Sequence, residues 1–192
     1  MWVSNSRLWV QFILIGSKFI NQTRRFLGMK SSKLREQIFE LLYAKARPEQ
    51  AVLQLNRILK ATPEHSEALA LRAYALNKLA NSRKDWTYTR RALESADRAL
   101  ALNPDDDMAL VSKGWALIDL GRAQEALSSL QHATKVNPAN TFAWYNLAWA
   151  QYLTGNAVGS KESVERALQI NPGNPIIKQG KEMMEKEKSL IT

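Results

Sequence analysis

Apolar residues recur along most of this chain with the three- and four-residue spacing of amphipathic helices, interrupted at short polar turns. Gly121 and Gly155 fall in two of these turns, where a left-handed backbone favours glycine. A last amphipathic stretch follows the break at Pro175. The pattern therefore predicts an all-α chain with helices at about 33–46, 48–61, 66–80, 85–102, 107–120, 123–136, 141–154, 157–170 and 176–189.

Four prolines mark an internal repeat. Pro63, Pro104, Pro138 and Pro172 are separated by 41, 34 and 34 residues, and each ends an apolar-periodic segment. A small side chain stands twelve residues before each proline, at Ala51, Ala92, Ala126 and Ser160. Small residues at a fixed helical offset let two helices approach closely, which stacked helical hairpins require.

A 34-residue period with these features resembles the tetratricopeptide repeat (TPR) family. The copy at 141–174 carries the resemblance best, through Trp144, Leu147, Ala148, Gly155, Val164, Ala167 and Pro172. The resemblance implies a right-handed solenoid of helical hairpins, with four repeats at 32–65, 66–106, 107–140 and 141–174. The second repeat has seven additional residues, expected between its helices around 81–87, and 175–192 is expected to be a C-terminal capping helix.

In TPR proteins the first helix of each repeat lines an inner groove, so the resemblance also implies which side chains face a partner. These are Tyr74, Asn77, Met108, Val111, Trp115, Ile118, Phe142, Tyr145, Asn146, Trp149 and Tyr152. Five of them are aromatics in the C-terminal half, whereas Glu36 and Glu40 make the N-terminal half polar and partly acidic. Two interpretations of the aromatics stay open: a recognition surface for a peptide or helix, or packing against a neighbouring repeat or a folded-back terminus.

One TPR subclass binds the acidic tails of heat-shock chaperones through a carboxylate clamp, and that clamp is absent here. Glu36 and Glu40 occupy its first-repeat positions, Leu71 its second-repeat position, and Met108 and Ser112 its third-repeat positions. Carboxylates at the docking point would repel the carboxylate of such a ligand. The protein is therefore not expected to be a chaperone-tail adaptor.

The sequence contains few candidate catalytic residues. The chain contains no cysteine, and its two histidines, His65 and His132, lack the spacing of a metal pair or a catalytic triad. The acids at 105–107 immediately precede a helix, where capping and the helix dipole account for them. We expect no enzymatic activity, no cofactor and no metal. The lack of cysteine suits a reducing compartment such as the cytoplasm.

Charge separates the first 31 residues from the rest of the chain. The net charge is +9, and residues 1–33 contain six basic residues and no acid. The spacing predicts a basic amphipathic helix, whose apolar run at 8–15 is too short to span a bilayer. Its candidate membrane or docking residues are Arg7, Trp9, Phe12, Ile13, Lys18, Arg24 and Arg25. Three interpretations remain: peripheral attachment to an anionic membrane, packing on the repeats or a partner, and a leader outside the folded protein.

Nucleic acid is a weaker candidate partner. A helical-repeat RNA reader needs recurrent polar pairs at its groove positions, and here those positions vary from Glu to Trp. A small cationic patch with two aromatics lies near the insertion, formed by Arg83, Lys84, Trp86, Tyr88, Arg90 and Arg91. The sequence therefore favours a non-enzymatic adaptor or assembly scaffold that binds a partner peptide or helix in the groove. A structural subunit of a larger complex and a helical-repeat RNA-binding protein are the alternatives.

Overall fold

The computed structural model describes the backbone of residues 32–189 and the side chains of residues 32–185. The described residues form nine α-helices and no strand. In chain order these are α1 (Lys33–Phe39), α2 (Pro48–Ala61), α3 (Ser66–Arg83), α4 (Trp86–Leu102), α5 (Asp107–Asp119), α6 (Ala123–Val136), α7 (Thr141–Leu153), α8 (Ala157–Ile170) and α9 (Pro175–Ser189). A π-helical turn, Glu40–Ala44, continues α1. The predicted all-α solenoid is confirmed.

The helices pack as consecutive antiparallel hairpins. Helices α3 and α4, α5 and α6, and α7 and α8 pack against each other within the pairs. Successive pairs meet where α4 contacts α5 and where α6 contacts α7. The first helices α3, α5 and α7 also contact one another in turn. The stack therefore presents its first helices side by side on one surface.

Small residues allow this close packing. The predicted small positions Ala51, Ala92 and Ala126 are completely buried. Gly114 of α5 faces α6 so closely that a Cβ atom added there would lie 2.4 Å from Leu130 Cγ. Helices approach to such distances only where one of them carries almost no side chain.

Acidic and amide side chains fix the turns between hairpins. Asp106 caps α5 by accepting a hydrogen bond from the Ala109 amide at 2.9 Å. Asp107 Oδ2 accepts from Asn137 Nδ2 at 2.7 Å and from Asn140 Nδ2 at 2.9 Å, which ties the third hairpin to the fourth. The acids at 105–107 thus act as caps and tethers, and no group of three or more metal-ligating side chains occurs among the described residues.

The seven additional residues of the second repeat lengthen its two helices, so the predicted placement between the helices was wrong. Helix α3 has 18 residues against 13 in α5, and α4 has 17 against 14 in α6, while the connecting turn is one residue shorter. Residues 81–83 contain no glycine or proline to stop the helix. It ends only at Lys84, whose left-handed backbone (φ 56°) forms the C-cap.

Helix α9 covers the end of the last hairpin. Its Ile177 is fully buried and Met184 nearly so, in one cluster with Ala148, Val164 and Ala167. No helix within residues 32–189 combines the length and apolar character needed to cross a membrane.

Candidate functional site

A cavity of about 950 Å³ runs along the surface formed by the first helices, and we call it the groove. Helices α3, α5 and α7 form its floor and walls. The π-helical turn Glu40–Ala44 bounds one end, and the turn at 171–174 with the first two residues of α9 bounds the other. The volume is typical of a ligand-binding cleft.

Seven of the eleven predicted partner-binding residues line the groove together. They are Tyr74, Trp115, Ile118, Phe142, Tyr145, Asn146 and Trp149. Tyr152 lies beside them, with its ring centroid 5.9 Å from that of Trp149 in an edge-to-face contact.

Three predicted partner-binding residues do not line the groove. Asn77, Met108 and Val111 are only 0%, 3% and 2% exposed. Asn77 Nδ2 donates to the carbonyl of Ser112 at 2.8 Å and so joins α3 to α5. Met108 and Val111 pack in apolar clusters between helices. Their side chains point toward the neighbouring repeat. The sequence pattern does not distinguish this direction from one toward the groove.

The aromatic surface extends further toward the N-terminus than predicted. The Tyr74 ring lies 5.8 Å from Trp115 and 6.5 Å from Phe142, both in edge-to-face geometry. Tyr74 also contacts Phe39 and hydrogen-bonds to the Tyr43 hydroxyl. Edge-to-face pairs hold aromatic rings in fixed orientations. The groove therefore has a stiff aromatic wall that spans all four repeats.

The predicted acidic character of the N-terminal end is not found in the groove. Glu40 forms an ion pair with Lys45 at 3.0 Å on the exposed surface. The described residues that line the N-terminal half are Leu42, Tyr43, Ala46, Pro48 and Tyr74, together with the polar residues Lys78, Asn81 and Ser82.

Tyr145 lines the groove and also packs against the C-terminal helix. Part of its side chain lines the groove, and its hydroxyl donates to the carbonyl of Ile176 at 3.4 Å. It also contacts α9 at Gly180, where an added Cβ would lie 2.5 Å from the hydroxyl oxygen. The aromatic side chain thus holds the C-terminal helix in place while it forms part of the groove.

Lys78 places a positive charge in the groove. Its ammonium nitrogen lies 4.6 Å from the centroid of the Tyr43 ring, a cation–π contact. Among the described residues no carboxylate lies within ion-pair distance of Lys78. Burial lowers the pKa of Lys78, since desolvation disfavours the charged form.

Asp119 places an acidic group in the groove one repeat further on. Burial raises the pKa of Asp119 to about 6, against the opposing effects of a hydrogen bond from Trp115 and the positive charge of Lys84. Its Oδ2 atom is buried and has no hydrogen-bond partner in the described part of the chain. An unsatisfied carboxyl oxygen is costly to bury, and Asp119 lines the groove, so its charge acts on whatever binds there.

Two exposed apolar side chains lie at the C-terminal end of the groove. Leu153 is 52% exposed and Ile176 is 57% exposed, and both line the groove beside Asn146, Asn171 and Asn174. The turn at 171–174 was missed as a groove element, although the run from Pro172 to Pro175 signals a chain break there. Three further lining residues are related by the repeat. Lys78, Asp119 and Leu153 stand at corresponding positions of their first helices, α3, α5 and α7.

The residues of the cationic patch do not line the groove. Arg83 of the cationic patch is bound to Glu49 at 2.9 Å, and Arg91 lies 5.8 Å from the Tyr88 ring centroid. The candidate membrane or docking residues Arg7, Trp9, Phe12, Ile13, Lys18, Arg24 and Arg25 lie outside the described residues.

Comparisons with known proteins identify the repeats. A family model described as tetratricopeptide repeat matches residues 89–131 and 112–175. No curated protein sequence matches the chain significantly.

Several solved structures share the fold. A thermophilic TPR protein of Thermus thermophilus is 24% identical, with a TM-score of 0.65 over 77% of each chain. MamA from Desulfovibrio magneticus RS-1 is 24% identical, with a TM-score of 0.61 over 81% of this chain and 84% of MamA. YrrB, described as a TPR protein with an unusual peptide-binding site, is 21% identical, with a TM-score of 0.57 over 91% of this chain and 87% of YrrB. These structures show the shared fold, and the family model, together with the proline period and the stacked hairpins, identifies residues 89–175 of this chain as tetratricopeptide repeats.

Proposed function

We propose that this protein is a non-enzymatic adaptor or assembly scaffold that binds a peptide or helix of a partner protein in the groove. The observation that carries this proposal is the convergence of six aromatic side chains on one groove: Tyr43, Tyr74, Trp115, Phe142, Tyr145 and Trp149. Aromatic side chains bury a large area at a small entropic cost, and they dominate the energetics of protein interfaces.

The groove is suited to binding a chain segment. Exposed Leu153 and Ile176 offer apolar contacts at one end, while Lys78 and Asp119 offer single charged contacts nearer the middle. No histidine lines the groove in the described part of the chain. YrrB supports a peptide as the ligand class, because it is described as having a peptide-binding site on the same fold.

The N-terminal segment is proposed to attach the adaptor to an anionic membrane surface in a reducing compartment such as the cytoplasm. Its support is the charge distribution, since six basic residues and no acid occur within residues 1–33. One apolar helix face combined with basic residues is typical of peripheral attachment.

Affinity purification from the native cell, read out by mass spectrometry, tests the binding proposal. The wild-type chain is compared with the double variant Trp115→Ala/Trp149→Ala and with the control Trp86→Ala. Trp86 lies outside the groove and is 53% exposed at the start of α4. We expect the wild type and the control to retain the same partners and the double variant to lose them.

The loss should correspond to about 2 kcal/mol for each groove tryptophan, the usual scale of an interface hot spot. Circular dichroism and the denaturation midpoint must show that the double variant is folded. Partners that a folded double variant retains at wild-type levels would contradict the proposal.

A further inference from the structure

We propose that the groove selects a partner segment of defined charge order: an acidic side chain opposite Lys78, a basic side chain opposite Asp119, and an apolar side chain beyond them at Leu153 and Ile176. This inference rests on the proposed peptide-binding function and specifies the chemistry of the partner.

The environment of Lys78 favours the binding of a carboxylate from the ligand. Two other basic residues that are partly buried have acidic partners: Arg35 lies 3.3 Å from Glu67, and Lys113 lies 2.7 Å from Asp97. Lys78 is largely desolvated between Tyr43 and the groove, and among the described residues it has only the aromatic contact. Burying a cation without a counter-ion is unfavourable, so a ligand carboxylate would bind where the protein has left the charge uncompensated.

The environment of Asp119 favours a hydrogen-bond donor from the ligand. When the carboxyl is ionised, it favours a positively charged donor. Its second oxygen, Oδ2, is buried without a partner in the described part of the chain. Lys84 acts on it only through its charge, and the Trp115 indole supplies the hydrogen bond that supports the carboxylate. A lysine or arginine of the ligand, placed on the groove side of Asp119, would compensate the charge of the ionised carboxyl.

The position of these side chains in the repeats sets their spacing along a ligand. Lys78, Asp119 and Leu153 occupy equivalent places on α3, α5 and α7, and these helices contact each other in that order. Packed helices lie about 8–10 Å apart. An extended chain rises about 3.3 Å per residue, so successive contacts fall roughly three residues apart. The predicted ligand is an extended segment of the form acid-x-x-base-x-x-apolar, read along the groove from α3 to α7.

The protein's own N-terminal segment does not fit this pattern. Residues 1–33 contain no acidic residue, so docking of this segment in the groove would leave Lys78 without a counter-ion. The charge pattern therefore favours a separate partner protein over an internal occupant.

Selection from a phage-displayed library of random dodecapeptides tests the inference without assuming a ligand. Full-length wild type, Lys78→Glu and Asp119→Lys are used as separate targets. Lys135→Glu serves as the matched control, because Lys135 is exposed on α6 outside the groove.

We expect wild type and Lys135→Glu to enrich peptides with an acid about three residues from a base. Lys78→Glu should enrich a base in place of the acid, and Asp119→Lys should enrich an acid in place of the base. The best wild-type peptide should bind Lys78→Glu at least about tenfold more weakly, and reversing its acid to lysine should restore binding. Lys78→Met, which keeps the side-chain length without the charge, should weaken the wild-type peptide without favouring the reversed one.

Two failures are distinguishable. If the enriched peptides lose binding in Trp115→Ala but show the same charge pattern on wild type and Lys78→Glu, the charge inference is overturned and groove binding stands. If no peptide is enriched, or if Trp115→Ala binds the enriched peptides as wild type does, both the inference and the proposed groove function are overturned.

Discussion

Asp119 differs from the exposed carboxylates of this protein in the cost of its ionisation. Glu49 and Glu125 lie in water beside arginines, which lower their pKa values through hydrogen bonds. Asp119 is largely withdrawn from water, and burial outweighs its favourable contacts and raises its pKa to about 6. A carboxyl with a raised pKa reduces the stability of the folded protein when it ionises.

We expect the stability of Asp119→Asn to depend on pH differently from that of wild type. The folded state binds the Asp119 proton more tightly than the unfolded state, whose pKa is near 3.8. The contribution of neutral Asp119 is therefore fully present below about pH 4 and is lost as the pH rises through about 6. Asparagine stays neutral, so the variant should gain stability over wild type between pH 4 and pH 7.

Urea unfolding at pH 4, 5, 6, 7 and 8 measures this difference. Glu49→Gln is the control of opposite sign, because the Arg83 hydrogen bond lowers the pKa of Glu49 and its small surface contribution is lost as the pH falls. A difference between wild type and Asp119→Asn that is the same at pH 4 and pH 7 would show that Asp119 is not buried as described.

The repeat pattern identifies a groove residue correctly only where it also indicates the direction of the side chain. Tyr74, Trp115 and Trp149 occupy the position of each first helix that faces the groove, and the repeat pattern identifies them. Asn77 lies three residues after Tyr74, yet it turns toward α5. The lack of a partner at Lys78 depends on where every nearby carboxylate lies, which no linear pattern contains.

At the scale of the helices, hairpin packing depends on small residues at the points of closest approach. Gly114 of α5 makes the closest approach to α6, against the fully buried side chain of Leu130. Leu130 is surrounded by Leu117, Ala126 and Leu147, so it has little room to move.

Gly114→Ala is therefore expected to destabilise the protein. In an exposed helix alanine would stabilise by up to about 1 kcal/mol relative to glycine. Here the new Cβ would lie 2.4 Å from Leu130 Cγ, and overpacking of this kind typically costs about 1–3 kcal/mol. The urea midpoint should fall.

Gly173→Ala is the matched control, because an added Cβ there meets no heavy atom closer than 4.0 Å. Its midpoint should stay near that of wild type. A Gly114→Ala midpoint equal to or above the wild-type value would mean that α5 and α6 are further apart than described.

The local sequence predicts the helices, and the places where the observed helices differ from the prediction have local causes. Proline spacing and small positions determine the hairpins because both act within one repeat. Helix α3 runs past its predicted end because residues 81–83 contain no breaker. The first helix changes to a π-helical turn at Glu40–Ala44, and Ala46 then adopts a left-handed backbone (φ 49°) that has no glycine to signal it.

At the scale of the whole molecule, charge is distributed unevenly along the chain. Residues 34–192 contain 21 basic and 18 acidic side chains, whereas residues 1–33 contain six basic side chains and no acid. The attraction to an anionic surface is therefore concentrated in the N-terminal segment.

Sedimentation with vesicles tests the proposed attachment. Full-length protein should pellet with anionic vesicles at low salt, less so at high salt, and not with zwitterionic vesicles. The variant with Arg7, Lys18, Arg24 and Arg25 all changed to Gln should stay in the supernatant, because each surface cation contributes roughly 1 kcal/mol. Four equivalent substitutions on outer helices, at Arg57, Lys60, Arg90 and Lys135, should have little effect. Wild-type protein that remains in the supernatant with anionic vesicles at low salt would contradict membrane attachment.

The groove, and no other surface, is proposed to receive the partner segment. The chain contains six tryptophans, and the indole N–H of each gives a separate nuclear magnetic resonance signal. Trp115 and Trp149 line the groove, whereas Trp86 lies at the exposed start of α4. The measurement is a titration of full-length protein with the peptide selected on wild type, followed through these signals. We expect the Trp115 and Trp149 signals to shift together to saturation while the Trp86 signal stays in place. A shift of the Trp86 signal with unchanged Trp115 and Trp149 signals would show that the peptide binds outside the groove.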